Sequence, residues 1–318
     1  MTEPSIQVVE ERAGRPLGQP SGVMQSTWIA VLRALRPLQW VKNLLLFVPV
    51  VLDHRVFDTG ALARAGLAFA AFSLAASGAY LLNDILDLEA DRRHPSKRFR
   101  PFAAGRLSVR TGMALVPVLF TLALVLAGFG LSRRFLALLV LYVVATTAYS
   151  SQLKRVAVLD VVVLAGLYTL RVMAGVAATG VRFSTWLLAF SMFLFLSLAF
   201  VKRYAELSGA LQEGAGTARR RGYLPEDREW LGSMGGASGY ISVLVLALYI
   251  NSEQVVTLYR RPLALWLVCP LLLFWIGRMW LLAYRGRIHE DPIVATVRDP
   301  VSYVVGVLVG AVLMLASL

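Results

Sequence analysis

The stretch from Asn83 to Pro101 reads Asn-Asp-Ile-Leu-Asp-Leu-Glu-Ala-Asp-Arg-Arg-His-Pro-Ser-Lys-Arg-Phe-Arg-Pro and directly follows a long apolar run. Its acids Asp84, Asp87 and Asp91 fall at i, i+3 and i+7, so on an α-helix they share one narrow stripe. Three carboxylates on a stripe repel one another unless a cation lies between them, and hard oxygen ligands suit a Mg²⁺ that also binds phosphate oxygens. The stretch therefore predicts phosphate or diphosphate chemistry at the end of a membrane helix.

The composition is that of an integral membrane protein. Of the 318 residues, 58% are hydrophobic and 16% are charged, with a mean hydropathy of +0.66, whereas soluble domains contain roughly 25% charged residues. A membrane β-barrel would need ten-residue segments of alternating polarity, which are absent, so we predict an all-α, nine-transmembrane-helix bundle. The apolar runs that predict the spans cover about 41–57, 62–82, 111–130, 135–150, 158–179, 184–201, 236–252, 263–284 and 301–318.

The chain has one predicted domain and a tail. Residues 1–26 contain Pro, Gly, Glu and Gln without an apolar core, so we interpret them as a disordered cytosolic tail rather than a signal peptide or a span. The single cysteine, Cys269, lies in an apolar run and implies no oxidising compartment. No gap between the spans is long enough for a soluble domain, which leaves 27–318 as one transmembrane catalytic domain.

The basic residues are divided unequally between the two sides of the predicted bundle. Loops on one side hold 18 Lys and Arg residues and loops on the other side hold 7. The positive-inside rule therefore places the amino terminus and the loop 83–110 in the cytosol, and we expect a multi-pass protein of the inner (plasma) membrane with its site facing the cytosol. Most of the basic excess is attributed to topology and to attraction for anionic lipid, and no nucleic-acid partner is expected.

The two longest gaps, about 83–110 and 202–235, lie on this same side and open with charged residues that continue the preceding helix. They indicate two halves that face each other across a central cavity open to the cytosolic side, as in internally repeated membrane bundles. Glycines four residues apart, such as Gly306 and Gly310, permit close helix packing. Packing inside one subunit is the favoured reading, and a homo-oligomer is left open.

Several polar residues surround the acidic stripe in the sequence. The Asn83 amide lies about 40° round the helix from the stripe and is a candidate ligand for the metal or for substrate hydroxyls. His94-Pro95 ends the helix, because the residue before a proline avoids the helical region. Lys97, Arg98 and Arg100 then follow as a basic arm suited to phosphate oxygens, with a solvated loop as the plain alternative.

Single polar residues also lie in or beside other spans. Lys42 enters the first span, where a snorkelling lysine is the plain alternative. Tyr149 and Lys154 close the fourth span and either reach the cytosolic mouth or serve as an interfacial tyrosine and a topology lysine. Arg171 lies well inside the fifth span, where a charged residue marks a site by default and a buried ion pair is the alternative.

The segment Lys202-Arg203-Tyr204-Ala205-Glu206 ends the sixth span. Lys202 and Glu206 are four residues apart, so they either pair on the helix surface or face the acidic stripe across the mouth. In the second case Glu206 is a metal ligand and Lys202 or Arg203 grips a phosphate.

Together these motifs resemble the UbiA superfamily of intramembrane prenyltransferases over nearly the whole chain. The matching segments are Asn83-Asp84-x-x-Asp87-x-x-x-Asp91, the Arg-Pro-x-Gln-Trp-x-Lys-Asn opening at 36–43, and Tyr149-Ser-x-x-Leu-Lys154. The resemblance implies a nine-helix bundle whose two acidic motifs hold Mg²⁺-diphosphate near the cytosolic side. Here Lys202 to Glu206 replaces the second acidic motif, which is similar to the branch of decaprenyl-phosphate phosphoribosyltransferases of arabinan precursor synthesis, as is Asp291-Pro292.

The resemblance to that branch implies transfer of the 5-phosphoribosyl group from phosphoribosyl diphosphate to a polyprenyl phosphate for cell-wall glycan synthesis. It implies that Mg²⁺ is held by Asp84, Asp87 and Asp91, with Glu206 as a further catalytic acid. The lipid phosphate is expected near Lys42 or Arg171. The residues expected to bind the two substrates are Lys42, Asn83, Lys97, Arg98, Arg100, Tyr149, Lys154, Arg171, Lys202, Arg203 and Tyr204.

Two other functions compete with this one. An ordinary UbiA-type prenyltransferase would join a prenyl diphosphate to an aromatic or other small acceptor. A lipid or ion transporter would also place charges in a bundle, but it predicts them near the middle of the membrane, whereas most acids here lie at one rim.

Overall fold

The structure is a computed structural model that describes residues 27–94, 96–212, 222–288 and 291–318. The predicted tail 1–26, Pro95 and the basic residues at 219–221 lie outside the described residues. Within them the chain is helical and has no β-strand. The α-helices, numbered in chain order, are α1 Thr27–Leu35, α2 Val48–Leu52, α3 Thr59–Leu86, α4 Leu88–Arg93, α5 Val109–Gly130, α6 Arg133–Ser151, α7 Leu159–Thr179, α8 Thr185–Gln212, α9 Asp227–Ile250, α10 Glu253–Leu258, α11 Val268–Tyr284, α12 Pro292–Arg298 and α13 Pro300–Ser317.

Nine segments of the described chain are long and apolar enough to cross a membrane, which confirms the predicted all-α bundle of nine spans. Three of them differ from their predicted bounds by more than four residues at one or both ends. The first begins at Trp28 and ends at Leu52, the sixth continues to Leu211, and the seventh begins at Asp227. Each extension contains polar residues, several of which point into the protein. Because polar residues lower the hydropathy, a prediction from hydropathy alone misplaced the ends of these spans.

The first span is not one α-helix. Arg36 has a left-handed backbone with φ of 53° and ends α1, and a 3₁₀ helix from Pro37–Phe47 follows it. Eleven residues is long for a 3₁₀ helix, whose runs seldom exceed three or four residues, and residues three apart lie on the same side. Trp40 and Asn43 therefore both face α3, where they donate hydrogen bonds of 3.0 Å to serine hydroxyls.

Helix α7 joins the two halves of the bundle. One side packs Leu167, Leu170 and Ala174 into a core shared with α3, α5 and α6. The other side packs Leu164 and Val172 into a second core shared with α8, α9 and α11. The 3₁₀ helix Pro37–Phe47 crosses α7, α3 and α12, so it lies where the two halves meet.

The crossing of the 3₁₀ helix over α7 depends on Gly175. A Cβ atom at this position would lie 2.3 Å from the backbone oxygen of Leu46, far inside van der Waals contact. The absence of a side chain at Gly175 therefore allows the two backbones to touch.

The acidic stripe does not lie on one uninterrupted helix, as the sequence had predicted. Helix α3 ends at Leu86, Asp87 has a non-helical ψ of 8°, and α4 begins at the next residue. Backbone hydrogen bonds from Asp87 to Asn83 and from Asp91 to Asp87 cross the break. The chain therefore keeps its direction, while the side chain of Asp87 turns away from those of Asp84 and Asp91. Helix α4 ends before His94, whose backbone is extended, as predicted.

Candidate active site

Polar side chains collect at the end of the bundle where α3 and α8 finish and α7 begins. We call this the polar end. It holds three groups of contacting residues: an acidic cluster around Asp84, a lysine cluster around Asp291, and an arginine cluster around Arg203.

The acidic cluster pairs each predicted acid with a cation. Oδ1 of Asp84 accepts hydrogen bonds from Nη2 of Arg36 at 2.5 Å and from Nη1 of Arg100 at 3.2 Å. The same Nη1 of Arg100 donates to Oδ2 of Asp91 at 2.6 Å. Asp84 and Asp91 are both buried. Arg100 of the predicted basic arm thus ties the two ends of the stripe together.

Asp87 faces a different partner. Nζ of Lys154 donates to both carboxylate oxygens of Asp87, at 2.7 and 2.8 Å, and to Oδ1 of Asn83 at 3.1 Å. Lys154 is buried on the short 3₁₀ helix Leu153–Arg155 that follows α6. The structure therefore brings Asn83, Asp87 and Lys154 together, and three carboxylates of the acidic cluster face three cations.

One oxygen of the acidic cluster is left open. Oδ2 of Asp84 is buried and has no hydrogen-bond partner among the described residues. In the described part of the chain no three acidic, histidine or cysteine side chains lie close enough to hold a metal by themselves. Mg²⁺ in phosphate-transfer sites is, however, commonly bound by one or two carboxylates together with substrate phosphates. The open oxygen of Asp84 fits a Mg²⁺ that arrives with a phosphate ligand.

The lysine cluster surrounds Asp291, which the sequence analysis had not placed in the site. Oδ2 of Asp291 accepts hydrogen bonds from Nζ of Lys42 at 2.8 Å and from Nζ of Lys202 at 3.2 Å. The hydroxyl of Tyr168 donates to both oxygens, at 2.9 and 3.0 Å. Burial alone would raise the pKa of Asp291, but the charges of Lys42 and Lys202 hold that pKa well below its ordinary value. Asp291 is therefore an ionised, buried carboxylate.

These contacts decide between alternatives that the sequence had left open for Lys42 and for Lys202. Lys42 is buried against Asp291 and does not snorkel toward water. Lys202 pairs with Asp291 and not with Glu206, because the side chain of Lys202 turns into the bundle.

Arg171 is buried beside the lysine cluster without a carboxylate partner in the described chain. Its Nε donates to Oδ1 of Asn43 at 3.0 Å, its Nη1 to the backbone oxygen of Leu167 at 2.6 Å, and its Nη2 to the hydroxyl of Tyr142 at 2.9 Å. The guanidinium lies 5.7 Å from the centre of the Tyr168 ring. The alternative of a buried ion pair is therefore wrong for the described residues, and Arg171 keeps an uncompensated positive charge.

The arginine cluster binds the ends of α6, α7 and α8 together. Arg203 is almost fully buried and donates to carboxylate oxygens of Asp160 and Glu206, and to the hydroxyl of Tyr149 at 2.7 Å. The hydroxyl of Tyr223 donates to the other oxygen of Asp160 at 2.7 Å, and burial together with this bond raises the pKa of Tyr223. Arg203 and Glu206 therefore contact each other, and Glu206 does not contact the acidic stripe.

Two predicted binding residues lie apart from all three clusters. Arg98 is exposed and stacks on Phe99, with 4.9 Å between its guanidinium carbon and the ring centre. Arg98 lies within the 3₁₀ turn Lys97–Phe99, whereas Arg100 follows that turn with an extended backbone, so their side chains leave the chain in different directions. Lys97 is half-buried. Tyr204 is buried edge-on against Trp280, with the ring centres 5.9 Å apart, because successive residues of α8 point in different directions.

A large apolar groove leads away from the lysine cluster. Its volume is about 790 Å³, and it is lined by the 3₁₀ helix Pro37–Phe47, α2, α8, α9, α11 and α13. Leu45, Leu198 and Ile293 line one end, and each lies two to four residues from Lys42, Lys202 or Asp291 in the chain. Trp186 and Tyr249 line the opposite end. The groove therefore extends from the lysine cluster toward the far side of the bundle.

These features define a multi-pass membrane protein with a buried, highly charged site that opens into an apolar groove. The chain belongs to the UbiA prenyltransferase family, whose family model matches residues 46–294. This finding confirms the resemblance seen in the motifs, and a membrane transferase is the class that the family defines.

Individual relatives agree with this assignment. The chain is 40% identical over 291 residues to the protein y4nM of Sinorhizobium fredii, an alignment that covers 90% of this chain and 55% of that protein. It is 37% identical to the nodulation protein NoeC of Azorhizobium caulinodans, with 89% and 92% covered. It is 41% identical over 190 residues to the decaprenyl-phosphate phosphoribosyltransferase of Mycobacterium tuberculosis, with 58% and 62% covered. The chain thus spans about half the length of y4nM.

The fold is also that of a solved relative. A UbiA homolog from Archaeoglobus fulgidus bound to GPP and Mg²⁺ superimposes with a TM-score of 0.68 at 17% sequence identity, covering 90% of this chain and 99% of the homolog. At this identity the likeness establishes the fold of the chain and leaves its substrates open.

Proposed function

We propose that this protein transfers the 5-phosphoribosyl group of phosphoribosyl diphosphate to a polyprenyl phosphate. The bond between C1 of the ribose and the diphosphate breaks, a bond between C1 and an oxygen of the lipid phosphate forms, and diphosphate leaves. The observation that carries the proposal is the lysine cluster at the end of the apolar groove.

The charge of this region suits a lipid monophosphate. Lys42 and Arg171 contribute two buried positive charges, Lys202 contributes a third that is partly exposed, and Asp291 supplies one negative charge against them. A buried charge without a partner is costly. A phosphate monoester carries a charge of about −1.5 to −2 near pH 7, so it would compensate the excess while its isoprenoid tail occupies the groove.

The acidic cluster suits the sugar diphosphate. Arg36, which pairs with Asp84, also stacks 5.3 Å from the ring centre of Tyr80. Arg36 caps the 3₁₀ helix Pro37–Phe47, which carries Lys42 six residues later, so the acidic and lysine clusters border a common region. Two substrates bound at the two clusters would therefore be neighbours.

We propose that Asp84 and Asp91 would hold Mg²⁺ together with the diphosphate, whereas Asp87 faces Lys154 and is left out of this metal site. When bound, Mg²⁺ would neutralise charge on the diphosphate and assist its departure. Arg36, Arg100 and Lys154 pair with these acids. With the carboxylates compensated by a bound Mg²⁺, the same three cations would bind phosphate oxygens of the substrate.

The protein needs no strong general base for this reaction, because the lipid phosphate is already an anion. The tasks left to the side chains are to orient the two substrates and to stabilise developing charge. Glu206 contacts Arg203 and makes no hydrogen bond with the described residues of the acidic stripe, so Glu206 has no role at the metal in this proposal.

Two further observations support this choice of substrates. The mycobacterial relative at 41% identity is named as a decaprenyl-phosphate phosphoribosyltransferase. The segment Lys202 to Glu206 also lacks a second aspartate-rich motif, which is consistent with a donor diphosphate on a soluble sugar and a lipid that brings one phosphate.

The test is product analysis with the purified protein in lipid nanodiscs. With Mg²⁺, radiolabelled phosphoribosyl diphosphate and polyprenyl phosphate, we expect label to enter the organic phase in a lipid that releases ribose phosphate on mild acid treatment. Turnover of geranyl diphosphate with an aromatic acceptor, without labelled lipid, would overturn the proposal in favour of an ordinary prenyltransferase. The family assignment makes that reaction the second candidate.

We also propose that the polar end faces the cytosol at the inner membrane, because the soluble sugar diphosphate is supplied there. Cys269 is buried and is the only cysteine, so Arg93→Cys and Arg134→Cys each introduce one exposed thiol at opposite ends of the bundle. In whole cells an impermeant maleimide is expected to label the Arg134→Cys protein alone. Labelling of the Arg93→Cys protein alone would reverse the orientation.

A further inference from the structure

We propose that Asp291 is a positioning residue that presents Lys42 and Lys202 to the phosphate of the lipid substrate. The inference rests on the proposed function and adds a residue to it. Asp291 lies at the amino-terminal cap of α12, outside the acidic motif and outside the segment Lys202 to Glu206.

The carboxylate of Asp291 joins the two lysines. Lys42 and Lys202 lie 249 and 89 positions from Asp291 in the chain, and both ammonium groups bond to the same Oδ2 atom. Two like charges this close repel in a buried environment unless an anion lies between them. An ammonium has three donors, so each lysine keeps donors for a second acceptor while it is bonded to Asp291.

The carboxylate of Asp291 is itself fixed from other directions. The hydroxyl of Tyr168 on α7 donates to both oxygens, and the backbone N–H of Ile293 donates to Oδ1 at 3.2 Å. Both bonds come from helices packed in the protein interior, and the side chain of Asp291 is only 6% exposed. The position of the carboxylate is therefore set by the fold, and it in turn sets the positions of the two ammonium groups.

Asp291 does not cancel the attraction of the site for phosphate. One negative charge is shared by two lysines, and Arg171 adds a third positive charge whose guanidinium carbon lies 5.7 Å from the centre of the Tyr168 ring. A dianionic phosphate would thus complete a neutral assembly beside the end of the groove. A neutral polyprenol would still bind in the groove through its tail, but it would not compensate these positive charges.

The substitution Asp291→Asn separates positioning from simple capping, because Asn caps a helix about as well as Asp but cannot hold two cations. We expect the KM and the Kd for polyprenyl phosphate to rise at least about tenfold. The KM for phosphoribosyl diphosphate and the Kd for polyprenol should change less than about twofold. Asp291→Glu should restore part of the lipid affinity. The matched control is Asp299→Asn at the cap of α13, where Asp299 pairs with Arg278, and it should leave all four constants unchanged.

The outcomes distinguish this inference from the proposed function. If the Asp291→Asn protein binds polyprenyl phosphate like wild type, the inference fails and the proposed function stands. If wild type prefers polyprenyl phosphate over polyprenol but gives no ribosylated lipid, the proposed function fails and Asp291 keeps its role at the phosphate. If the wild-type protein binds polyprenyl phosphate and polyprenol equally well, both the inference and the proposed function are overturned. Should the Asp291→Asn protein not fold, Tyr168→Phe removes the hydroxyl that donates to both oxygens of Asp291, and an equal rise of both KM values in that variant overturns the inference.

Discussion

Arg100 contacts both Asp84 and Asp91 from the loop after α4, so one side chain holds the two buried acids of the stripe in place. The sequence identified these residues from their types and spacing, but it did not identify their partners. Lys42 and Arg171 were likewise found as charges inside apolar runs. The partner of Lys42 is Asp291, at the other end of the chain, and local patterns carry no information about a contact of that separation. Asp291 before Pro292 does have the signature of a helix cap, which gives its place in a helix but not its burial.

Asp84 offers the sharpest test of the acidic cluster. Asp84→Asn keeps the size of the side chain but removes the charge that faces Arg36 and Arg100. We expect Mg²⁺-dependent turnover to fall at least about 100-fold, because a proposed metal ligand is lost. Initial rates over a Mg²⁺ titration measure this effect, and Mn²⁺ binding followed by electron paramagnetic resonance gives an independent readout.

The control for Asp84 is Glu89→Gln on α4, because Glu89 is exposed. This variant should keep the wild-type rate and metal dependence. A wild-type rate in the Asp84→Asn protein would remove Asp84 from the metal site.

Arg203 is expected to matter for stability more than for substrate binding. Arg203→Met leaves Asp160 fully buried without its cation, and breaking a buried pair from one side costs about 3–5 kcal/mol. Thermal unfolding of the protein in detergent measures the loss, and adding Asp160→Asn to the same chain should recover part of it. An unchanged unfolding temperature with a raised KM for a phosphate substrate would return Arg203 to the substrate site.

At the scale of elements, the 3₁₀ helix Pro37–Phe47 explains why the first span was misplaced. A 3₁₀ helix turns about 120° per residue whereas an α-helix turns about 100°. Side-chain directions predicted for an α-helix are therefore wrong after a few residues of a 3₁₀ helix. Hydropathy reports how much apolar chain is present, and it is silent on which kind of helix that chain forms. The same limit explains the break at Asp87, since the spacing of Asp84, Asp87 and Asp91 suits an uninterrupted α-helix and gives no sign of a break.

The crossing of the 3₁₀ helix over α7 can be tested at Gly175. Gly175→Ala places a methyl group against the backbone of Leu46, which has no freedom to rotate away. We expect a loss of about 1–3 kcal/mol in stability, together with a lower turnover because Asn43 and Lys42 move with the 3₁₀ helix.

Gly166→Ala on the same helix is the matched control, because a Cβ at Gly166 meets no atom within 4 Å. Differential scanning fluorimetry in detergent compares the two variants. Equal unfolding temperatures for both would contradict the close crossing at Gly175.

At the scale of the whole molecule, the sequence predicted the membrane class, the number of spans and the family. Those properties depend on summed hydropathy and on short motifs, and both can be determined from one sequence. The grouping of charges into three clusters depended on side-chain directions at the ends of α3, α7 and α8. Arg203 illustrates the difference. The sequence predicted that Arg203 binds a phosphate, whereas in the structure it donates hydrogen bonds to Asp160 and Glu206.

The apolar groove makes a prediction about the length of the lipid. Gly306 lines the groove on α13 and has open space beside it, so Gly306→Leu would narrow the groove without a clash. We expect a rise of at least about tenfold in the KM for a long polyprenyl phosphate, since each displaced isoprene contact costs on the order of 1 kcal/mol. A short-chain analogue such as farnesyl phosphate should be affected less than about twofold.

Gly310→Leu is the control for this change, because Gly310 also faces open space but does not line the groove. Steady-state kinetics with the two lipids in nanodiscs compare the variants. Equal effects of Gly306→Leu on the long and the short lipid would show that the tail lies elsewhere.

The groove has a kinetic consequence for an enzyme that works as proposed. Substrate and product carry the same isoprenoid tail, so both compete for one groove, and neither has to leave the bilayer. Product inhibition then depends on the mole fraction of product in the membrane and does not depend on the volume of the surrounding water. The flux through the reaction would depend on how quickly a later enzyme in the same membrane removes the ribosylated lipid.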